Sequence, residues 1–278
     1  MAQKHSQRNW VETVSNATVR RAKSPFLLSV LGIILVWHLL TLDIPSHVFP
    51  SPVELLVVTA GLFPSDGEFR FLQHVPATLI RILLAFVIVL PVGMTIGFVM
   101  GARSMFENFL SSYVLILLTF PSIVWAFLAV IWFGLTTYLV PVFVGVMASL
   151  PFVILNVWQG TKAIDQELVE MGTAFGADRR QLWREVVFPQ VKPLIFSSIR
   201  LVLAVSWKVI LIAEIFGSQS GIGFIVDSYF IQQENTMLIA WSVPVLLLVY
   251  LLDRGLHRYE RRQFEWRPEV EDTSTGVR

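Results

Sequence analysis

The sequence predicts an all-α, polytopic membrane protein with about six membrane-spanning helices. Three observations carry this. Hydrophobic residues are 55% of the 278 and charged residues only 15%, against about a quarter charged in a soluble domain. Mean hydropathy is +0.66. Apolar runs recur along the chain, several near the about 20 residues that a helix needs to cross a bilayer.

Composition also excludes functions. A net charge of +1 leaves no electrostatic footprint for nucleic acid. There is no cysteine, hence no disulfide, thiolate metal site or cysteine nucleophile. The five histidines, His5, His38, His47, His74 and His257, are scattered without ligand spacing. No G-x-x-x-x-G-K-[ST] occurs, so the chain has no P-loop to cradle phosphates. No cofactor or metal is expected on this chain.

In chain order, residues 1–25 form a basic tail with Lys4, Arg8, Arg20, Arg21 and Lys23. The first apolar run, about 26–42, is short and follows this tail, as a signal peptide would. No small-x-small cleavage pattern follows in "HLLTLDIPSH", so it is expected to be an uncleaved anchor. Residues 43–75 include a short amphipathic piece, "SPVELLVVTAGLF". The second candidate span is 76–100. Near its start His74, Thr78 and Arg81 make a polar edge, and Arg81 is expected to snorkel to the interface. Gly93, Gly97 and Gly101 repeat every four residues, a face that another helix can approach closely.

The third candidate, 108–133, holds Pro121 in "TFPSIVWAF". Proline removes a backbone hydrogen bond and kinks a helix. The bend is either a packing kink or part of a solute path with Ser122 and Trp125 beside it. The fourth candidate is 138–158. The fifth, 194–216, carries Arg200, Lys208 and Glu214. Lys208 and Glu214 project about 120° apart, so each needs a partner elsewhere. Glu214 shares a face with Trp207. "GSQSGIGF" then marks a glycine-rich turn. The sixth candidate, 236–252, leads into a basic tail over 254–278, with Arg254, Arg258, Arg261 and Arg262 suited to anionic lipid.

Loop charges set an orientation. Arg103 follows the second candidate. Lys162, Arg179, Arg180, Arg184 and Lys192 follow the fourth, and the C-terminal arginines the sixth. Of Lys and Arg, the alternate loops carry only Arg70, and 217–235 has Asp227 and Glu234 but no basic residue. The positive-inside rule puts both termini in the cytoplasm.

One cytoplasmic stretch reads like a soluble surface: "DQELVEMGTAFGADRRQLWREVVFPQV", residues 165–191. Leu168, Met171 and Phe175 form one apolar stripe. Gly176 supplies a break where φ can be positive. Asp178 can cap a second helix bearing Leu182 and Val186, and Pro189 and Pro193 are expected to end it. Periodicity alone allows a hairpin on the membrane surface or a docking surface for a soluble partner.

Its spacing resembles the EAA loop of ATP-binding-cassette (ABC) importer permeases. Glu170, Met171 and Gly172 stand at E-A-A. Three residues later comes Gly176, then nine residues, then Val186-x-Phe188-Pro189. Met171 and Gly172 depart from the alanines. "FPSPVELL" (49–56), "TLIRILLAF" (78–86), "GMTIGFVMG" (93–101), "VIWFG" (130–134), "AEIFGSQSGIGF" (213–224) and "LLDRGL" (251–256) are similar to the nitrate/taurine/sulfonate branch of this family. The resemblance implies a type I importer permease domain over 26–253, with a coupling loop at about 162–193. It implies a bacterial inner-membrane location, two permease copies, two cytoplasmic ATPase subunits that use the ATP, and an extracytoplasmic solute-binding protein. Glu170, Met171, Gly172, Phe175, Gly176, Leu182, Val186, Phe188 and Pro189 would meet the ATPase. Pro121, Ser122, Trp125, Trp207, Lys208 and Glu214 are candidates for the translocation pathway. The solute implied is a small anion of the sulfonate, taurine or nitrate class, or else an aromatic vitamin precursor such as a thiamine pyrimidine or riboflavin. An ion-coupled secondary transporter predicts internal repeats and paired intramembrane charges. A membrane-embedded enzyme predicts a His, Glu or Asp cluster. Neither pattern is present in the sequence.

Overall fold

The computed structural model describes residues 27–46, 48–62 and 71–263. The tail 1–25, Arg70, Arg267 and Arg278 lie outside the described residues, as do the side chains of Arg261 and Arg262. Among the described residues the regular structure is helical, without a strand. Hydrocarbon offers the backbone no hydrogen-bond partner, so an open sheet edge is not viable there. Contacts divide the chain into two compact units, 1–63 with 229–240, and 64–228 with 241–278.

The first unit contains α1 (Leu27–Leu40) and α2 (Pro52–Gly61). Ser51 caps α2, its side chain accepting from the Glu54 N–H, and Pro52 opens the helix. Trp37 Nε1 donates to the Pro50 carbonyl at 3.2 Å. Asn235 and Thr236 donate to the carbonyls of Val48 and Ser46.

The second unit holds α3 (Phe71–Ala102), α4 (Ser104–Thr119), α5 (Ser122–Phe133), α6 (Leu139–Lys162), α7 (Gln166–Ala174), α8 (Arg179–Gln181), a π-helical turn (Leu182–Val187) and α9 (Phe188–Gly217). α10 (Ile222–Ile231) and α11 (Asn235–Gln263) follow. Four segments are long and apolar enough to cross a membrane: Phe71–Ala102, Leu139–Lys162, Arg179–Gly217 and Asn235–Tyr259. The described part of α1 is shorter, at 10–17 residues.

α6 is the centre, packed against both α3 and α9, which also touch each other. Val89 of α3, Val153 and Val157 of α6 and Val202 of α9 form one core cluster. Ala126, Ala129, Val140, Val144, Val209 and Ala213 join α5, α6 and α9 in another. The glycine face of α3 lies against α6, within the chain. A Cβ at Gly93 would meet Val153 Cγ1 at 2.7 Å. At Gly97 it would meet the Ile154 carbonyl at 2.7 Å and Val157 Cβ at 2.8 Å, and at Gly101 it would collide with Thr161 Cβ.

These pairs fix helix directions. Gly93, Gly97 and Gly101 meet Val153, Val157 and Thr161 in ascending order, so α3 and α6 run parallel. Asn156 bonds Ser198 while Gly145 abuts Ile210, so α9 runs antiparallel to α6. Because α3 and α6 point the same way, the chain between them must return across the bundle. α4 and α5, bent at 93°, are therefore one broken span. A single kinked helix over 108–133 was expected, and a full break is found. Phe120 has ψ 125° and Pro121 ψ 128°. Proline forces the residue before it out of the helical region and cannot donate an amide itself. Two extended residues in succession end one helix and start the next.

Pro189 and Pro193 do not end a helix as expected. The chain stays helical from Arg179 to Gly217. The π turn widens the ring, with the Phe188 N–H reaching the Trp183 carbonyl five residues back. Pro189 sits in the first turn of α9, and the Gln190 side chain donates to the Val186 carbonyl at 3.1 Å.

Candidate functional site

Two regions gather the residues singled out in the sequence, one at each end of the bundle. The first is the loop of α7, α8 and the π turn. Asp165 caps α7, accepting from the Glu167 N–H. Gly176 takes φ 78°, a conformation open to glycine with little cost. Asp178 and Gln181 form a reciprocal capping box at the start of α8. Gly172 seats α7 on the next helix: a Cβ there would meet Leu182 Cδ2 at 2.6 Å, with Val186 Cγ2 at 3.7 Å. The departure from alanine at this position thus allows close approach.

The loop is held against the bundle. Trp183 stacks edge-on against Phe98 of α3, centroids 5.6 Å apart. Gln190 accepts from the Asp165 N–H at 2.8 Å, and Lys162 pairs with Glu107 at 2.6 Å. Trp183 and Gln190 were not singled out in the sequence, because neither departs from helical periodicity. The opposite face is bare. Phe175 is 85% exposed, Met171 52%, Phe188 43% and Leu168 41%, and Glu170 is exposed beside them. Large apolar side chains grouped on a charged loop mark an interaction surface. Leu182 and Val186 are half-buried, and Pro189 is exposed.

The second region is a polar network at the other end. Arg81 and Glu214 are both 0% exposed. Arg81 Nη1 donates to Glu214 Oε1 at 2.5 Å and to the Ser220 carbonyl at 2.7 Å. Its Nη2 donates to the hydroxyls of Ser218 and Ser220. Thr78 Oγ1 lies 2.9 and 3.0 Å from the two carboxylate oxygens, and the Gly223 N–H donates to Oε2 at 2.9 Å. His74 Nδ1 accepts from the Gly221 N–H, and Thr78 accepts from the Ile222 N–H. Gly221 has φ 105°, and a Cβ on it would collide with Arg81 Nη1. The "GSQSGIGF" turn is therefore shaped around an ion pair. Snorkelling by Arg81 is not observed, since a carboxylate from α9 lies within reach and satisfies it. This geometry gives Glu214 the role of an anchor between α9 and α3 rather than of a free pathway group.

The remaining pathway candidates are dispersed. Trp125 packs between Phe120 and Phe143. Pro121 is exposed and Ser122 half-buried. Trp207 is half-buried, with Lys208 Nζ 5.7 Å from its ring centroid; Lys208 itself is exposed. Among the described residues no group of three His, Asp or Glu is placed to hold a metal.

The profile of the family described as "Binding-protein-dependent transport system inner membrane component" matches residues 90–265. The chain belongs to this family. The permease is 27% identical over 240 residues to the taurine transport system permease protein TauC of Escherichia coli, covering 84% of this chain and 86% of that one. It is 28% identical to the putative aliphatic sulfonates transport permease protein SsuC of Bacillus subtilis, covering 82% and 81%. It is 25% identical to the nitrate import permease protein NrtB of Synechocystis sp., covering 82% of each. A chain of the MetNI methionine ABC transporter in inward facing conformations superposes with a TM-score of 0.56 over 67% of the permease and 91% of that chain, at 22% identity, a likeness of fold. The permease is thus a multi-pass inner-membrane component of an ABC import system, with its membrane-crossing helices and broken span in the type I importer arrangement.

Proposed function

We propose that the permease moves a small anion of the sulfonate, taurine or nitrate class into the cytoplasm by alternating access, driven by a separate ATPase that docks on residues 165–189. The observation that carries this is the exposed apolar stripe of Leu168, Met171 and Phe175 on a loop braced by Trp183 and Gln190. A surface so held can pass a push from a soluble partner into α6 and α9 without absorbing it. Glu170 at the rim and Gly176 at the turn complete the contact.

The end of the bundle with this loop carries Arg103, Lys162, Arg179, Arg180, Arg184, Lys192, Arg254 and Arg258. The positive-inside rule makes that end cytoplasmic, together with both termini. The Arg81–Glu214 end then faces the solute-binding protein. A second copy of this chain completes the path, and the anionic class follows from the relatives, which are permeases for taurine, aliphatic sulfonates and nitrate.

The test is co-expression with the ATPase and binding protein of the same system, followed by ATP-driven uptake of taurine, an alkanesulfonate and nitrate in proteoliposomes. Uptake of one of these, with Phe175→Ser weakening ATPase binding about tenfold or more while the permease stays folded, supports the reading. Uptake driven by an ion gradient without the ATPase overturns it.

A further inference from the structure

Lys208 lies nine residues before Gly217, the last residue of α9, about 14 Å of helix from that end. In a hydrocarbon layer about 30 Å thick this is close to the midplane. Its side chain is exposed on the surface of the chain, leaning on Trp207. No ion pair reaches it among the described residues. Arg81 and Glu214 satisfy each other, and Arg200 lies 3.8 Å from Asp253.

An ammonium facing hydrocarbon at this depth is costly, and its stem is too short to bring it to the interface. At comparable depth the exposed residues of α3 and α11 include the apolar Leu83, Leu84 and Val87, and Leu246 and Leu247. α9 presents a different stripe. Ser197, Arg200, Ala204 and Lys208 follow at steps of three and four, and all four are exposed. Small and polar side chains in one line, ending in a cation, suit water rather than lipid.

We propose that this stripe of α9 lines a water-filled path and that Lys208 is the cation that selects anionic solutes within it. The proposal rests on the transporter reading above and adds the residue through which charge is discriminated. A lysine ammonium is a compact charge with three rotatable donors, so it accommodates sulfonate and nitrate oxygens without demanding one shape. At this depth water screens it weakly, and its pull on an anion is correspondingly strong.

The chain has no cysteine, so Ala204→Cys creates a unique thiol one turn from Lys208. The assembled complex in proteoliposomes, with and without ATP, is treated with anionic sulfonatoethyl methanethiosulfonate and with its cationic trimethylammonium counterpart. The thiol is expected to react with both, favouring the anionic reagent about tenfold relative to a free thiol. That preference is expected to vanish on adding Lys208→Gln and to persist with Lys208→Arg. An unreactive thiol in the Ala204→Cys variant, alongside a reactive one in Gln219→Cys at an exposed position of the turn, means that the stripe faces lipid or a second copy and overturns the proposal. A preference unchanged by Lys208→Gln overturns it too. Either failure leaves the ATP-driven uptake test untouched, because labelling does not depend on transport.

Discussion

The guanidinium of Arg81 and the carboxylate of Glu214 meet at 2.5 Å with neither side chain exposed. The pair joins α3 to the end of α9 and, through Ser218, Ser220 and Gly223, organises the turn between α9 and α10. Its worth lies in mutual dependence. Glu214→Gln or Arg81→Met leaves a charge buried without its partner, and each single variant is expected to cost about 3–5 kcal/mol. The double variant should recover much of that loss, because no charge is left stranded. Thermal unfolding in detergent checks this; single variants as stable as the parent would show that the pair does not hold the fold.

Gly97 is expected to tolerate no side chain. The Cβ of Gly97→Ala would lie 2.7 Å from the backbone carbonyl of Ile154, and a helix backbone cannot yield as a side-chain tip can. A loss of about 1–3 kcal/mol follows from overpacking. Gly255→Ala is the matched control, since nothing lies within 4 Å of its Cβ; it should be neutral or gain up to about 1 kcal/mol in helix propensity. Equal melting temperatures for the two variants would contradict the close packing of α3 on α6.

At Gly176 space is not the constraint, because no atom lies within 4 Å of a Cβ there. The constraint is φ 78°. Gly176→Ala should cost about 1–2 kcal/mol through backbone strain alone, and Gly176→Asn less, because asparagine enters this region more readily. ATP-driven uptake should fall in the order Gly, Asn, Ala. The reverse order of Asn and Ala would assign the position to side-chain contact.

Asp178→Ala removes half of the capping box and should cost about 1 kcal/mol at the start of α8. Hydrogen exchange at the Gln181 amide, which donates to Asp178 at 2.8 Å, is the direct readout. Unchanged protection would mean that packing of Trp183 on Phe98 holds this turn unaided.

Local rules made much of this legible from the sequence. The break at Gly176, the cap at Asp178 and the glycine face of α3 each depend on a few neighbouring residues, and each is present as expected. Pro121 was legible as a disturbance but not as a 93° break. How far a proline bends a chain depends on what surrounds the freed carbonyls. Pro189 and Pro193 were misread as terminators: the chain stays helical through both, with a π turn before them and Pro189 in the first turn of α9.

By itself, then, the sequence determined the class of protein, the succession of apolar helices, the soluble loop among them and the resemblance to a transport family. These rest on composition, periodicity and spacing, which neighbours along the chain decide. Tertiary structure alone decided that Arg81 meets Glu214 across 133 positions, that Gly97 faces α6, and that Lys208 stands exposed without an ion pair among the described residues while two other charges of the bundle are matched. Pairing across helices depends on their order and direction in space, and no local pattern in the sequence encodes that.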